Sequence, residues 1–159
     1  MTDENSIPRI KVINRISVLI IFLGDNNMKE THGSQSVEVI RGRNVVVSAG
    51  TGATNLDDLK WLMNTVLNYV KGWKLTGWAY VADCSNMEPV GPNESGQLVE
   101  MTKAFVEAGC KAFAFAEGRS IMLKVQAKKN TQMSETGIAE GHFPTVEEAL
   151  EWLKNDINF

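Results

Sequence analysis

What most constrains this chain is the order in which strand-like and helix-like hydrophobic patterns follow one another. Ser36 to Arg41 and Asn44 to Ala49 are short β-branched runs separated by Gly42-Arg43, the pattern of a hairpin. Gly50-Thr51-Gly52-Ala53-Thr54 then breaks the second run. Leu56, Leu59, Leu62, Met63, Val66, Leu67 and Val70 recur at three- and four-residue spacing, which predicts a helix with one buried face. Thr54 or Asn55 is its cap, Asp57 and Asp58 suit the positive end of its dipole, and Gly72 is placed to stop it. Trp78 to Asp83 reads as a strand ending in an acid, and Cys84 to Pro92, with two prolines and Gly91, as loop. A second helix is expected from Asn93 or Glu94 to Ala108, with Leu98, Met101, Thr102, Phe105 and Val106 inside. Lys111 to Ala116 is a strand whose alanines allow close helix packing. Arg119 to Lys129 is a third helix, with Ile121, Met122 and Val125 as its apolar residues. A short strand is expected near Thr136 to Glu140, and Thr145-Val146-Glu147-Glu148 is a capping box opening a last helix. Two strands followed by alternating helix and strand define an α/β domain: a mostly parallel mixed sheet of four or five strands with about four helices.

Composition narrows the function. A chain of 159 residues supports one core, and 43% hydrophobic against 22% charged residues is the balance of a globular domain. With 16 basic residues against 19 acidic, a nucleic-acid partner has no electrostatic support. The longest apolar run, Val18 to Leu23, is six residues, far short of the roughly 20 that cross a bilayer, so membrane insertion is not expected. Cys84 and Cys110 fit a reducing cytoplasm as small buried hydrophobes. The two histidines, His32 and His142, stand in no metal-ligand spacing, so no metal and no cofactor are expected.

Residues 1–35 read as an N-terminal extension and residues 36–159 as the domain. Arg9, Lys11 and Arg15 ahead of Val18 to Leu23 have the layout of a signal peptide, but Gly24-Asp25-Asn26-Asn27 follows without a small-x-small cleavage site. The run reads instead as an extra strand, or as sequence upstream of a start at Met28.

Other local patterns point to less. Gly50-x-Gly52 lacks the third glycine of a dinucleotide loop, and Ser95 is not in a Gly-x-Ser-x-Gly elbow. Asp83 and Glu88 flank one loop, but no histidine or lysine there completes a catalytic set. Trp73 and Trp78 bracket a short segment that would bind a partner if both were exposed.

Asp83 at a strand end, Asn93-Glu94-Ser95-Gly96 opening the next helix, and the ending Phe143-Pro144-Thr145-Val146-Glu147-Glu148-Ala149-Leu150 carry a resemblance. Over Ser36 to Lys154 the order and spacing are similar to the STAS family, the domain of sulfate transporter tails and of SpoIIAA-like anti-sigma factor antagonists. Asn93 stands where the family usually has aspartate, Glu94 where it has its first serine, and Gln97 where it has an apolar residue. The resemblance implies a non-enzymatic, cytoplasmic regulatory domain whose partner is an anti-sigma factor or kinase-like regulator. It implies contact through Asp83, Asn93, Glu94, Ser95 and Gly96, with Ser95 as the phosphate acceptor. Some proteins of SpoIIAA-like fold resemble carriers of a lipid or other apolar molecule. On that alternative, Met63, Met101, Met122 and Met133 would line the pocket.

Overall fold

The computed structural model describes residues 28–159. The run Val18 to Leu23 and the candidate leader therefore lie outside the described residues. The elements are β1 (Lys29–His32), β2 (Gln35–Val39), β3 (Val45–Gly52), α1 (Leu56–Tyr69), β4 (Trp78–Met87), α2 (Pro92–Glu107), β5 (Cys110–Ala116), α3 (Ile121–Ser134), β6 (Ala139–Phe143) and α4 (Val146–Trp152). A π-helical turn, Leu153–Ile157, continues α4.

The strands lie in the order β1-β2-β3-β4-β5-β6. The first two pairings are antiparallel and the other three parallel. The fold is the expected α/β class with four α-helices, but the sheet has six strands rather than four or five. The additional strand is β1, which lies ahead of Ser36. Its Lys-Glu-Thr-His sequence is exposed throughout and bears no apolar alternation.

Alternation along the central strands sends side chains to two cores. Trp78, Tyr80 and Ala82 of β4 face Leu59, Leu62 and Val66 of α1 and Met101 and Phe105 of α2. Ala79 and Val81, with Ala112 and Ala114 of β5, face Ala149 and Leu153 of the C-terminal helix. The β5 alanines do permit close packing, and the helix that uses the space is α4.

Three helices are capped by side chains accepting a backbone N–H three residues on: Asn55 from Asp58 (2.9 Å), Ser120 from Leu123 (3.2 Å) and Thr145 from Glu148 (3.2 Å). The exception is α2, which starts on Gly91 with Pro92 in its first turn and no side-chain cap.

Two local expectations are corrected. Residues Cys84 to Met87 are strand, not loop, and Gly50-Thr51-Gly52 extends β3 rather than ending it. The cause is pairing: past an irregularity after Ala49, Thr51 stands opposite Asn86 and Gly52 opposite Met87. A Cβ at position 50 would collide with the Met87 side chain, so glycine lets the two strands run on together. These glycines belong to a parallel pair and form no nucleotide loop.

Candidate functional site

The parallel strands end on the side where an open α/β sheet offers a crevice. A cavity of about 70 Å³ lies there, between the sheet and the three helices on that face. Its apolar wall comes from Leu59 and Leu62 of α1, Leu98 and Met101 of α2, Ala82 of β4, and Phe113 and Phe115 of β5. Ala82 makes the room: it stands between Tyr80 and Cys84 on the same strand face with only a methyl group. The α3 side is mixed, Gln126, Asn130 and Thr131 standing beside Leu123 and Ala127.

Those polar residues reach the cavity because of how α3 is turned. Its buried residues are Leu123, Asn130, Thr131 and Ser134, while Ile121, Met122, Val125 and Met133 are exposed. The inner hydroxyls are satisfied within the helix, Thr131 Oγ1 donating to the Ala127 carbonyl (3.1 Å) and Ser134 Oγ to that of Thr131 (2.6 Å). The helix is held to the segment before α2 by Gln126. Its Oε1 accepts from the Val90 N–H (3.0 Å) and its Nε2 donates to the Val90 carbonyl (2.9 Å).

At the crevice floor Tyr80 OH is hydrogen-bonded to Ser48 Oγ, and burial raises the phenol far above its ordinary value. Burial, with the Glu117 and Asp83 carboxylates nearby, pushes the Cys84 thiol up to about 12. Cys84 is therefore an S–H group at neutral pH, unsuited to nucleophilic work. Both cysteines are free.

Asp83 lies at the mouth of the crevice, where its carboxylate accepts from the Ser85 N–H (3.1 Å) and hydroxyl (2.6 Å). Asn93, Glu94, Ser95 and Gly96 lie in the first turns of α2, with Asn93 and Gly96 exposed and Glu94 and Ser95 half-buried. The Ser95 N–H is already used, donating to the Gly91 carbonyl (2.9 Å). Pro92 supplies no N–H, and the Glu94 carboxylate folds back over Gly91. The helix start thus carries its own anion.

Other expected pieces separate. Trp78 is wholly buried and its indole N–H donates to the Ala108 carbonyl (3.0 Å), so the Trp73–Trp78 segment presents no exposed pair. Of the four methionines expected to line a pocket, only Met101 does; Met122 and Met133 are exposed on the outer face of α3.

A cluster the sequence reading missed lies across the ends of β5 and β6. His142 is stacked on Phe115, its register neighbour, with ring centroids 5.3 Å apart. Its Nδ1 is hydrogen-bonded to Glu117 and its Nε2 to Glu140. Burial holds the Glu117 carboxyl above its ordinary value, although His142 and Lys124 pull it down. Both imidazole nitrogens are engaged, and among the described residues no group of three or more His, Cys, Asp or Glu is arranged to hold a metal ion. The only sequence signal was Glu140 and His142 two apart in a short strand.

The chain matches no protein-family model and no curated protein. Similar solved structures exist. One is described as an uncharacterised protein of the DUF3478 family with a SpoIIAA-like fold, from Shewanella loihica. It is 12% identical, with a TM-score of 0.62, covering 79% of this chain and 98% of its own. An NMR structure of the protein TM1081 is 16% identical with a TM-score of 0.53, over 84% of this chain and 98% of its own. An anti-sigma factor antagonist from Mycobacterium paratuberculosis is 14% identical at a TM-score of 0.45, over 82% and 94%. The first of these defines the fold: the domain has the SpoIIAA-like fold. At these identities the likeness is one of fold. Among the described residues, no helix is long and apolar enough to cross a membrane.

Proposed function

We propose that this STAS-like domain is a non-enzymatic binding protein whose crevice receives a small apolar group. The observation that carries the reading is the cavity between β4, β5 and the three helices, lined mostly by apolar side chains, with Gln126, Asn130 and Thr131 as the polar residues along α3. Size decides the ligand class. Drug-sized ligands occupy pockets of roughly 300–1,000 Å³, so a void of about 70 Å³ seats one ring or the end of one alkyl chain. A longer chain enters only if α3, anchored chiefly to α2 and through Gln126, moves outward.

The test fills the void. Ala82→Leu adds carbons where the cavity stands. It is expected to abolish binding of a small fluorescent aromatic probe while leaving the melting temperature unchanged or raised, as cavity-filling changes commonly do. Native mass spectrometry of protein from its natural host should show a bound apolar molecule. An empty protein, with a variant that binds the probe as well as its parent, would sink the carrier reading.

A second reading rests on a separate observation, the half-buried Ser95 in the first turn of α2 beside the exposed Pro92, Asn93 and Gly96. On this reading the Asp83 to Gly96 surface meets an anti-sigma factor or kinase-like regulator, and phosphorylation of Ser95 releases it. The phosphate would bring about -1.5 to -2 charges to a turn already occupied by Glu94, so it would act by repulsion at the interface rather than by building a new anion site. Ser95→Asp is then expected to weaken the complex by about tenfold or more, from like-charge repulsion, and Ser95→Ala to leave it intact. Equal affinity of both variants in a titration would exclude the switch.

A further inference from the structure

The face of α3 that looks away from the crevice is the part of the surface least like that of a soluble acidic protein. Ile121 is 79% exposed, Met122 64%, Val125 60% and Met133 55%. Ile121 with Val125, and Met122 with Val125, are neighbours at helical spacing, so the first turn and a half carries a continuous apolar patch. Asn130, Thr131 and Ser134 on the opposite side are buried, which fixes the rotation of the helix and makes the outward turn of its apolar residues part of the design. Around the patch stand Arg119, Lys124, Lys128 and Lys129, all exposed. No aspartate or glutamate occurs from Gly118 to Ser134, although the chain as a whole carries a net charge of -3. Among the described residues, positive charge is thus gathered on the helix whose large apolar side chains are exposed.

We propose that the outer face of α3 docks on an anionic lipid surface. Ile121, Met122 and Val125 enter the boundary between headgroups and acyl chains, and the four cations meet lipid phosphates and carboxylates. The observations favour a lipid surface over a protein partner. The patch is built on a single helix and is bordered by four exposed cations and no acid on that helix, which complements an anionic surface, whereas a stable protein interface needs roughly 800 Å² per partner of shaped surface. The adjacent acids do not oppose the contact: Glu117 is buried against His142, and Glu135 lies at the far end of the helix from the patch. The docking surface does not depend on the crevice holding a ligand, so an empty crevice leaves it standing.

The experiment is flotation of the protein with vesicles of phosphatidylcholine, alone or mixed with phosphatidylserine, at low and high salt. Binding is expected only with phosphatidylserine and is expected to fall with salt. Lys128→Gln with Lys129→Gln should lower it about thirtyfold, since each lysine near such a surface is worth about fivefold. Ile121→Ser with Val125→Ser should reduce it further with the charges intact. All four positions are exposed, so unchanged thermal melts are expected to accompany the losses. Binding indifferent to phosphatidylserine, or unaffected by both double variants, would overturn the proposal. So would a concentration-dependent dimer in sedimentation that Ile121→Ser with Val125→Ser abolishes, because the face would then be covered by a second copy of the chain.

Discussion

Phe105→Ala is expected to lower the unfolding free energy by about 3–5 kcal/mol, a large share of the roughly 5–15 kcal/mol that holds a domain together. Phe105 is wholly buried on α2 and is the ring around which one core is assembled. Trp78 and Tyr80 meet it edge-on, with centroids 5.4 and 5.0 Å away, and Phe113 lies 6.0 Å away at a tilt. These three rings stand on β4 and β5 at the centre of the sheet, so they cannot move inward to close the space that a truncated side chain leaves. The penalty therefore includes a cavity as well as lost transfer energy. Phe105→Leu keeps most of the volume and should cost less than about 1.5 kcal/mol. Urea unfolding with a constant m-value checks both. A loss below about 1 kcal/mol for Phe105→Ala would mean that α2 is not seated by this ring. The consequence reaches the site, because α2 carries both Ser95 and the Leu98 and Met101 wall of the crevice.

The parts of this architecture that could be read in the sequence are those with a local cause. The apolar spacing from Leu56 to Val70, the Asn55 and Thr145 caps and the continuous apolar run from Trp78 to Ala82 each carry their structure in neighbouring residues. What could not be read depends on a partner segment. β1 is held by backbone pairing to β2, and its side chains carry no pattern. The last residues of β4 are strand because Thr51 and Gly52 lie beside them. Ile121, Met122 and Val125, the apolar residues noted for α3, are exposed, while Leu123, Asn130 and Thr131 are inside, on the crevice. Ser95 and its neighbours were placed correctly at a helix start, but the use of its N–H by Gly91 and the turning back of Glu94 are visible only in three dimensions. The Glu117–His142 contact needs the register of β5 against β6, which no short motif encodes.

That contact gives the second large effect, and pH reveals its cause. Glu117 is only 4% exposed, and burial raises its carboxyl above the ordinary value of 4.5. The folded protein therefore binds more protons than the unfolded chain between 4.5 and the raised value, so this group's contribution to stability is full below that window and is lost as pH rises through it. His142 opposes the loss by hydrogen-bonding and attracting the ionised form. His142→Ala removes that compensation, raising Glu117 further and leaving a buried carboxylate without its partner at neutral pH. Breaking a buried pair from one side costs about 3–5 kcal/mol, and the low end applies here because Lys124 still attracts the carboxylate. Urea unfolding at about pH 7.5 should show that loss, and at about pH 5 a smaller one, because burial shifts Glu117 toward its neutral form as pH falls and so removes the unpaired charge. Truncating His142 also removes its stacking on Phe115, which does not depend on pH. The double variant His142→Ala with Glu117→Gln separates the two, since the amide keeps the shape and discards the charge. It should recover most of the stability lost at pH 7.5. If the double variant stays as unstable as His142→Ala, and the loss is the same at both pH values, then packing on Phe115 and not the buried charge holds the β5–β6 edge together.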